Sequence, residues 1–403
     1  MGTCTGTMTS VLIVTERFWP EDFIINDLAA ELAAGGVEVT VLTQQPSYPH
    51  GQLFQGYRNR PFTRETWQGV TVLRLGSVLG YRNSLMRKIL SYLWFALYGA
   101  FTVLVRRLRF DSVLIYQVGP LTMAVPGILA GKVRRRPVAI WTQDLWPDSV
   151  YAYGFRKSRA LNWILDVFVR RVYRAVDTIL FSCRGFRPSL AAYSTKPLFY
   201  APNWPLFPYL PGRQVRDPSA PPVFLFAGNL GKVQNLENVI RGFARAFGKV
   251  PAEARLRLVG DGSAAETLRQ LAAQEGVPVE FPGRKSAVAM VEEYDRADFL
   301  ILSLADQPVL RLTIPSKFQM YLRVGKPILC AAAGEVAVAV QTAGVGLLAD
   351  PAAPADIARA FLALSASGSE ERRRWSANAG TTLKGEFNRE TIIESIRRVL
   401  EPQ

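Results

Sequence analysis

Short β-rich runs alternate with helical runs along almost the whole chain, and this alternation restricts the fold more than any other feature. Residues 11–15 (VLIVT) and 37–43 (VEVTVLT) are typical of strands, and FIINDLAAELAAGG between them is typical of a helix that ends on glycines. A strand, a helix and a strand in this order pair in parallel through a right-handed crossover. The sequence therefore predicts an α/β fold with doubly wound parallel sheets.

A proline-rich segment without periodicity, residues 202–222, interrupts the alternation near the middle of the 403 residues. Such a segment is typical of an inter-domain linker, and a second strand–helix series follows it. We therefore predict an N-terminal domain over residues 1–203, a C-terminal domain over 204–385, and a final helix over 386–403 that packs back on the first domain. Doubly wound domains bind ligands at the carboxyl ends of their strands, so we expect the two to face each other across a cleft.

The net charge of +15 is unevenly distributed along the chain. Residues 1–200 carry 24 Lys and Arg against 12 Asp and Glu, whereas residues 201–403 carry 24 against 21. This asymmetry indicates an anionic partner of the first half, either an acidic membrane surface or nucleic acid. No nucleic-acid recognition motif or aromatic platform accompanies the charge, so we favour the membrane and expect no nucleic-acid partner.

The cysteine and histidine content argues against several kinds of catalysis. The three cysteines are far apart, and His50 is the single histidine. A zinc site of the usual kind and a Ser-His or Cys-His nucleophile are therefore poorly supported. Nothing in the spacing suggests a disulfide framework, which fits a reducing cytoplasm.

One segment has the composition of a membrane-associated helix. Residues 89–105 are uncharged and lie between two basic pairs, at 87–88 and 106–107. Their length is at the lower limit for crossing a bilayer, and Trp94 suits the bilayer interface. Three interpretations stay open: a core helix of a soluble domain, a helix lying in the interface, and a span.

Further basic residues of the first domain flank apolar helices and could meet an anionic bilayer. They are Arg82, Arg109, Lys132, Arg134–Arg136, Arg156, Lys157, Arg159, Arg170, Arg171 and Arg174. If the apolar helix faces lipid, we expect Leu93, Phe95 and Leu97 to be among the residues that contact it.

The strongest local signal for ligand binding is FLFAGNLGKVQNLENVI. A strand runs to Gly228, a loop contains Asn229, Gly231 and Lys232, and a helix starts near Asn235. Glycines let the backbone approach a ligand, the N–H groups of a helix start attract anions, and a lysine suits phosphate. The spacing matches neither the Walker A motif nor the dinucleotide fingerprint. The loop therefore indicates an anion site, with a bare turn as the alternative.

Other segments reach the same predicted sheet edge after strands or at a helix start. They supply Gly260 and Asp261, Arg284, and the run Pro315, Ser316 and Lys317. Several helix starts together with two lysines suggest a diphosphate site in the second domain.

The first domain offers carboxylates in its strand-end loops. The apolar run VAIWT leads into Gln143 and Asp144 and then into a Trp-Pro pair. Asp144 either caps this turn or orients an acceptor hydroxyl, whereas Asp148 is typical of a turn or cap residue. Glu21, in the loop after the first strand, is a second acceptor-side candidate.

Taken together, GNLGKVQNLENVI, LVGDG, IPSKFQMYLRVGKPIL and QDLWPDS resemble motifs of the retaining glycosyltransferases of family 4, which have the two-domain GT-B fold. RFWPED and PSYPHG are similar to the branch that builds bacterial surface polysaccharides on a lipid carrier. The resemblance covers nearly the whole chain and rests on the order and spacing of the motifs.

This resemblance implies that the second domain binds a nucleotide-sugar, in most members a UDP-sugar. The Gly228–Lys232 loop and the helix start at Ser316 and Lys317 would hold the diphosphate. Arg284 lies where the chain of family members passes the nucleobase. Retention would follow from front-face attack, with the departing diphosphate taking the acceptor proton. Lys232 and Lys317 would stabilise that diphosphate electrostatically, so neither a metal nor a cofactor is expected.

The sequence departs from the family pattern in three places. The positions of two glutamates found in many members hold Leu312 and Met320, and Gln319 or Ser316 would replace part of their contacts. Gln234 and Asn235 stand where many members have Lys-Gly, so Lys232 would take over that lysine's role. Gln143 stands where many members have a histidine, and an amide exchanges no proton.

We therefore expect a glycosyltransferase on the cytoplasmic side of the cell membrane. It would transfer an N-acetylated or deoxy hexose from a UDP-sugar to a polyprenyl-diphosphate-linked acceptor. Three alternatives stay open: a GT-B enzyme with a soluble natural-product acceptor, a dinucleotide oxidoreductase, and a basic nucleic-acid-binding protein. The oxidoreductase would need a G-x-G-x-x-G motif after a strand, which this sequence lacks.

Overall fold

The computed structural model describes residues 9–81, 84–152, 158–206, 220–248 and 253–401, which form two compact units. One unit comprises Met1–Pro202 with Glu390–Gln403, and the other comprises Asn203–Arg389. Three of the predicted membrane-facing cations, Arg82, Arg156 and Lys157, and residues 207–219 of the predicted linker lie outside the described residues.

The first unit is built on an eight-stranded sheet in the order β3-β4-β2-β1-β5-β6-β7-β8. All neighbours pair in parallel except β3 and β4. Its strands are β1 Ser10–Val14, β2 Glu38–Gln44, β3 Phe62–Trp67, β4 Val70–Leu75, β5 Ser112–Gln117, β6 Val138–Thr142, β7 Thr178–Phe181 and β8 Leu198–Tyr200. The strand order reverses at β1, so the loops after β1 and β5 border the switch point at which doubly wound sheets bind ligands.

The first unit has seven α-helices in the part of the chain that the structure describes, and all of them except α14 lie between successive strands. They are α1 Ile24–Ala34, α2 Leu85–Val105, α3 Ala124–Arg134, α4 Asp148–Ala152, α5 Arg159–Ala175, α6 Arg187–Tyr193 and, from the end of the chain, α14 Arg389–Leu400. Strands β1, β5 and β6 are almost completely buried, as expected for a sheet covered on both faces.

The antiparallel strand β3 is an element that the sequence pattern did not predict. Four of its six residues, FTRETW, are polar, and most are half-buried because β3 is the edge strand and pairs only with β4. Gln68 and Gly69 both have positive φ, as a tight two-residue hairpin turn requires. Because an edge strand is less buried than a central strand, its sequence lacks the continuous apolar run that predicts the central strands.

The second unit has a six-stranded, wholly parallel sheet in the order β11-β10-β9-β12-β13-β14. Its strands are β9 Val223–Ala227, β10 Arg255–Val259, β11 Val279–Gly283, β12 Phe299–Ser303, β13 Ile328–Ala331 and β14 Gly346–Ala349. Its helices are α7 Leu236–Phe247, α8 Ala265–Glu275, α9 Ala287–Arg296, α10 Ser316–Val324, α11 Glu335–Ala343, α12 Pro354–Ala366 and α13 Ser369–Gly385. The prediction of an α/β fold with two doubly wound parallel sheets is confirmed.

Aromatic packing forms the centre of the second unit's core. Phe224 on β9 stacks on Phe299 of β12 with ring centroids 4.7 Å apart, and Phe361 of α12 meets Phe224 edge-on at the same distance. Such pairs add about 0.5–1.5 kcal/mol beyond the burial of their area. This core holds β9 and β12 rigidly, and both strands lead into the loops of the candidate site.

Helix α2 is apolar on both faces, but only one of these faces is buried in the unit. Phe95 is fully buried, and Gly99 lies so close to α3 that a Cβ there would meet the Pro126 side chain at 2.7 Å. The opposite face carries exposed apolar side chains, among them Leu90, Leu93, Leu97, Phe101 and Leu104. One face of α2 thus belongs to the core of the unit while the other is exposed, and the three interpretations of this segment stay open.

The prediction that Phe95 contacts lipid is wrong, because its side chain is fully buried in the unit. Helical periodicity explains this: Leu93 and Leu97 are four residues apart and share a face, whereas Phe95 projects from the other side. Within the part of the chain that the structure describes, α2 is the one helix long and apolar enough to cross a membrane, with a mean hydropathy of 1.6. Only 33% of its most apolar window is buried in the protein.

Candidate active site

Two glycine-containing loops meet at the carboxyl edge of the second sheet. The backbone N–H of Gly228, after β9, donates to the Val259 carbonyl at 2.9 Å, and that of Leu230 donates to the Asp261 carbonyl at 2.9 Å. Gly260 has φ +146°, and a Cβ at this position would lie 1.8 Å from the Gly228 carbonyl oxygen. The loops can therefore approach only because a glycine stands there.

Lys317, in the first turn of α10, reaches into this loop cluster. Its Nζ donates to the Gln234 side-chain oxygen at 2.9 Å and lies 4.9 Å from the centroid of the Phe226 ring. A Cβ on Gly228 would lie 3.2 Å from the same Nζ, so Gly228 leaves the space that the lysine occupies. Burial lowers the pKa of Lys317 to about 8, because a desolvated ammonium loses its hydration.

The departure from Lys-Gly at residues 234–235 has a structural explanation. Asn235 has φ +50° and ψ +40°, a left-handed conformation that asparagine tolerates better than most non-glycine residues. Its side-chain amide donates to the Pro351 carbonyl at 2.7 Å, which anchors the start of α7. Asn235 thus reproduces the backbone that a glycine would give, while Gln234 turns inward to Lys317.

The remaining donor-side residues lie exposed at the same sheet edge. Lys232 begins the short 3-10 turn after the β9 loop, Ser316 begins α10, and Arg284 directly follows edge strand β11. Asp261 is exposed, and its Oδ1 accepts a hydrogen bond from the Gly262 N–H at 2.8 Å. The sheet topology therefore brings all the predicted donor segments to one edge.

Gln319 differs from the other predicted donor contacts, because it is almost completely buried. With its amide nitrogen facing the carbonyls of the preceding turn, it donates to Pro315 at 3.1 Å and to Ser316 at 3.2 Å. This geometry gives Gln319 a role in fixing the start of α10. It does not favour the direct donor contact that we expected in place of the family's glutamate.

In the first unit, Asp144 lies in the loop that follows β6, where the backbone N–H of Gln143 donates to the Gln117 carbonyl at 2.9 Å. Asp144 is partly buried, and burial raises its pKa to about 6. Its charge is felt by the hydroxyls of Tyr48, Tyr116 and Tyr173, which therefore lie in its vicinity. Asp148 is exposed at the start of α4.

Glu21 is buried and links two loops through hydrogen bonds. Its Oε1 accepts hydrogen bonds from the backbone N–H groups of Ser47 at 2.9 Å and Tyr48 at 2.7 Å, and Arg17 lies 3.5 Å away. Burial raises its pKa, although Arg17 and the two amides oppose the shift. The arrangement supports a positioning role for Glu21, by holding the loops after β1 and β2 together.

Glu16 is a carboxylate of the same region that sequence reasoning passed over. It is buried, its Oε1 has no hydrogen-bond partner among the described residues, and burial raises its pKa to about 7. The neighbouring Arg17 is also buried and stacks on the Tyr48 ring at 4.9 Å. A polar residue directly after an apolar strand was the available signal, the same one that singled out Asp144.

The two sets of residues can do different chemistry. The second unit offers backbone amides and lysines without an acidic partner, which suits a polyanion such as a diphosphate. The first unit offers carboxylates with raised pKa values, which suit hydroxyl groups. Among the residues that the structure describes, no group of three or more His, Cys, Asp and Glu side chains could hold a metal ion.

Comparison with known proteins gives two family matches along the chain. A model described as "Glycosyl transferase 4-like domain" matches residues 24–204, and one described as "Glycosyl transferases group 1" matches residues 213–382. The chain is 25% identical over 322 residues to a putative colanic acid biosynthesis glycosyl transferase, WcaI, of Escherichia coli strain K12. That alignment covers 74% of this chain and 76% of the relative.

Solved structures resemble the chain over nearly its full length. Anabaena Alr3699/HepE in complex with UDP and glucose has a TM-score of 0.68 and 15% identity, covering 97% of this chain and 99% of that one. The structure described as "Trehalose-6-phosphate from E. coli bound with UDP-2-fluoro glucose" has a TM-score of 0.71 and 11% identity, covering 98% and 99%. At such identities the likeness shows the shared fold. With both family models matched in order, this chain belongs to the GT-B glycosyltransferases of the family 4 type.

Proposed function

We propose that this glycosyltransferase moves a hexose from a UDP-sugar to a polyprenyl-diphosphate-linked acceptor, with retention of the anomeric configuration, at the cytoplasmic side of the cell membrane. The observation that carries the donor half of this proposal is Lys317. Its ammonium lies against Gly228 at the carboxyl edge of the second sheet, with a neutral amide as its hydrogen-bond partner.

The donor site would use the residues that meet at this edge. The Gly228–Lys232 loop, with Asn229 and Gly231, would bring backbone N–H groups to the diphosphate, and Gly260 would allow the close approach. Lys232 and Lys317 would balance the diphosphate charge without a metal ion. Arg284 would meet the nucleobase. Two structural relatives hold UDP or a UDP-sugar analogue, which favours uridine over other bases.

The chemical step would be a front-face substitution at the anomeric carbon. The bond from that carbon to the diphosphate oxygen breaks, the bond to the acceptor oxygen forms on the same face, and the acceptor proton passes to the departing diphosphate. Negative charge develops on the diphosphate, so cations positioned beforehand lower the barrier. Asp144 would orient the acceptor hydroxyl by accepting its hydrogen bond, and Gln143 would assist by hydrogen bonding, since an amide relays no proton.

The acceptor half of the proposal rests on helix α2. Large apolar side chains are exposed along this helix, and Arg106 at its C-terminal end is exposed as well. An apolar face with basic ends is typical of a helix that lies in the interface of an anionic bilayer. The opposite face packs on α3, so an interfacial position keeps the unit's core intact whereas a span would remove α2 from it. A lipid-linked acceptor would reach the enzyme from that bilayer, and the relative named for colanic acid synthesis fits a surface polysaccharide.

One experiment tests the proposal directly. The enzyme is incubated with UDP-, GDP- or TDP-sugars and a short polyprenyl-diphosphate-linked sugar in anionic vesicles, and the product is analysed by mass and by anomeric coupling constant. We expect transfer from a UDP-hexose with the configuration retained. Transfer to a water-soluble aglycone at the same rate without vesicles would contradict the membrane acceptor, and an inverted product would contradict the front-face mechanism.

A further inference from the structure

The side chain of Gln234 is buried beneath the donor loop although it belongs to a polar residue type. It lies in the short 3-10 turn that follows Gly231, and its Oε1 accepts a hydrogen bond from Lys317 Nζ at 2.9 Å. The two residues are 83 positions apart in the sequence. A buried amide that accepts a hydrogen bond from the half-buried Lys317 has a specific partner in the protein.

The other neighbours of the Lys317 ammonium are neutral as well. The Phe226 ring faces it at 4.9 Å, and the missing side chain of Gly228 leaves room for it. Among the ion pairs of the described residues, Lys317 takes part in none. The ammonium is therefore held in place without being neutralised, and its partial desolvation costs free energy in the free protein.

We propose that Gln234 is the positioning residue for Lys317, holding the ammonium at the Gly228 loop through a neutral acceptor so that its full charge remains available to a diphosphate. This inference rests on the proposed donor site and adds a determinant of donor affinity to it. A lysine at residue 234 would repel Lys317, and a carboxylate would neutralise it. A glutamine orients the ammonium and leaves its charge in place.

A consequence is that donor binding takes up a proton above neutral pH. Burial lowers the pKa of Lys317 to about 8, so the free enzyme loses the ammonium as the pH rises through that value. The groups that face it are Phe226 from β9 and Gln234 from the 3-10 turn after Gly231. On the same helix, the Tyr321 hydroxyl is hydrogen-bonded to the Ala227 N–H and the Ile301 carbonyl. Lys232 is the charged residue of the Gly228–Lys232 loop itself. No carboxylate among the described residues contributes to the shift of the Lys317 pKa, so a bound diphosphate would be its first counter-charge.

The test is a titration of the enzyme with UDP by calorimetry between pH 6.5 and 9.5. For the natural enzyme we expect the Kd to rise about tenfold per pH unit above pH 8. Gln234→Glu should weaken binding at pH 7 about tenfold, because the new carboxylate competes with the diphosphate. It should also move the alkaline rise in Kd upward by at least one pH unit, because it holds Lys317 protonated.

Gln234→Leu should shift the alkaline rise in the other direction and weaken binding at pH 7 at least tenfold, because the ammonium loses its acceptor. Gln341→Glu makes the same charge change on an exposed position of α11 and should leave the whole profile unchanged. Circular dichroism melting of each variant verifies that it folds. A purely structural role for Gln234 would lower the melting temperature without separating the two pH profiles.

The outcomes distinguish this inference from the proposed function. If the natural enzyme binds UDP but both Gln234 variants keep its Kd within twofold and its pH midpoint within 0.3 units, the positioning role is wrong while the donor site stands. If the folded natural enzyme does not bind UDP at any pH, the proposed donor site fails and the inference fails with it.

Discussion

The strand-end loops of the two units differ in how they treat charge. In the second unit, Lys317 is held by a neutral amide and an aromatic ring, and burial lowers its pKa. In the first unit, Glu16 and Asp144 are carboxylates whose pKa values burial raises. Both regions thus keep charged groups at a cost in stability. The difference in sign indicates one region suited to an anion and another suited to hydroxyl groups.

The largest effect should come from removing the cation of the second unit. Lys317→Ala should lower kcat/KM by about 10²–10³-fold, because a charge positioned for the leaving diphosphate is lost. The melting temperature below pH 8 should stay the same or rise. The folded pKa of about 8 lies below the ordinary 10.5, so protonated Lys317 opposes folding up to pH 8 and this opposition fades between pH 8 and 10.5.

Lys384→Ala, an exposed lysine on α13, provides the matched control and should change neither quantity. Steady-state kinetics and thermal unfolding of both variants make the measurement. Near-normal turnover in Lys317→Ala would contradict the assignment of the second unit's loops as the site for an anion.

The next effect concerns the carboxylate of the first unit. Asp144→Asn should lower kcat about 10–10²-fold with little change in the KM for the donor, because its proposed partner is the acceptor. In the natural enzyme, activity should fall as the pH drops through about 6, where Asp144 becomes protonated, and the variant should lack this acid limb. Asp148→Asn, an exposed carboxylate of the same segment, serves as the control, and an unchanged acid limb in Asp144→Asn would contradict the assignment.

A third effect tests the apolar face of α2. Replacing Leu93, Leu97 and Phe101 with Ser should reduce partition onto anionic vesicles by at least tenfold, because each buried apolar side chain contributes about 1.5–3 kcal/mol when fully removed from water. The melting temperature should hardly change, since all three side chains are exposed. Vesicle co-sedimentation measures the partition.

The control for that experiment replaces three exposed apolar residues of the second unit, Val288, Val338 and Leu362, with Ser. It should leave partition unchanged. Equal loss in both triple variants would indicate nonspecific hydrophobic adsorption and would contradict a membrane-facing role for α2.

The last effect is on stability alone and leaves the proposed chemistry untouched. Glu16→Gln keeps the shape of the side chain but removes its titration. The folded pKa of about 7 lies above the ordinary 4.5, so the folded state binds more protons than the unfolded chain between these values and loses stability as the pH rises through them. At pH 8 the variant should be more stable by up to about 3 kcal/mol, and at pH 4 the two proteins should be equal. Chemical unfolding at both pH values measures the free energy of unfolding of the two proteins. An equal increase in this free energy at pH 4 and pH 8 would exclude the titration of Glu16 as its cause.

Several parts of the site were accessible from sequence because they depend on local chemistry. An apolar run that ends in Gly228 or Gly260 predicts a strand followed by a tight loop, and Lys317 at a helix start predicts an anion. Other parts were not accessible. Gln319 is a polar residue near the predicted site, yet its amide donates to the carbonyls of the first turn of α10. Phe95 lies between Leu93 and Leu97 in the sequence, yet it faces the core while both leucines are exposed.

By itself, the sequence determined the two series of strands and helices, the glycine-built loops and the excess of positive charge in the first half. Each of these depends on residues close together in the chain, through periodicity, backbone freedom or composition. Only the tertiary structure decided that Gln234 meets Lys317 across 83 residues, that Glu21 ties the β1 and β2 loops together, and that α2 leaves an apolar face exposed. The order of strands in each sheet decides such contacts, since it sets which loops lie side by side at the carboxyl edge.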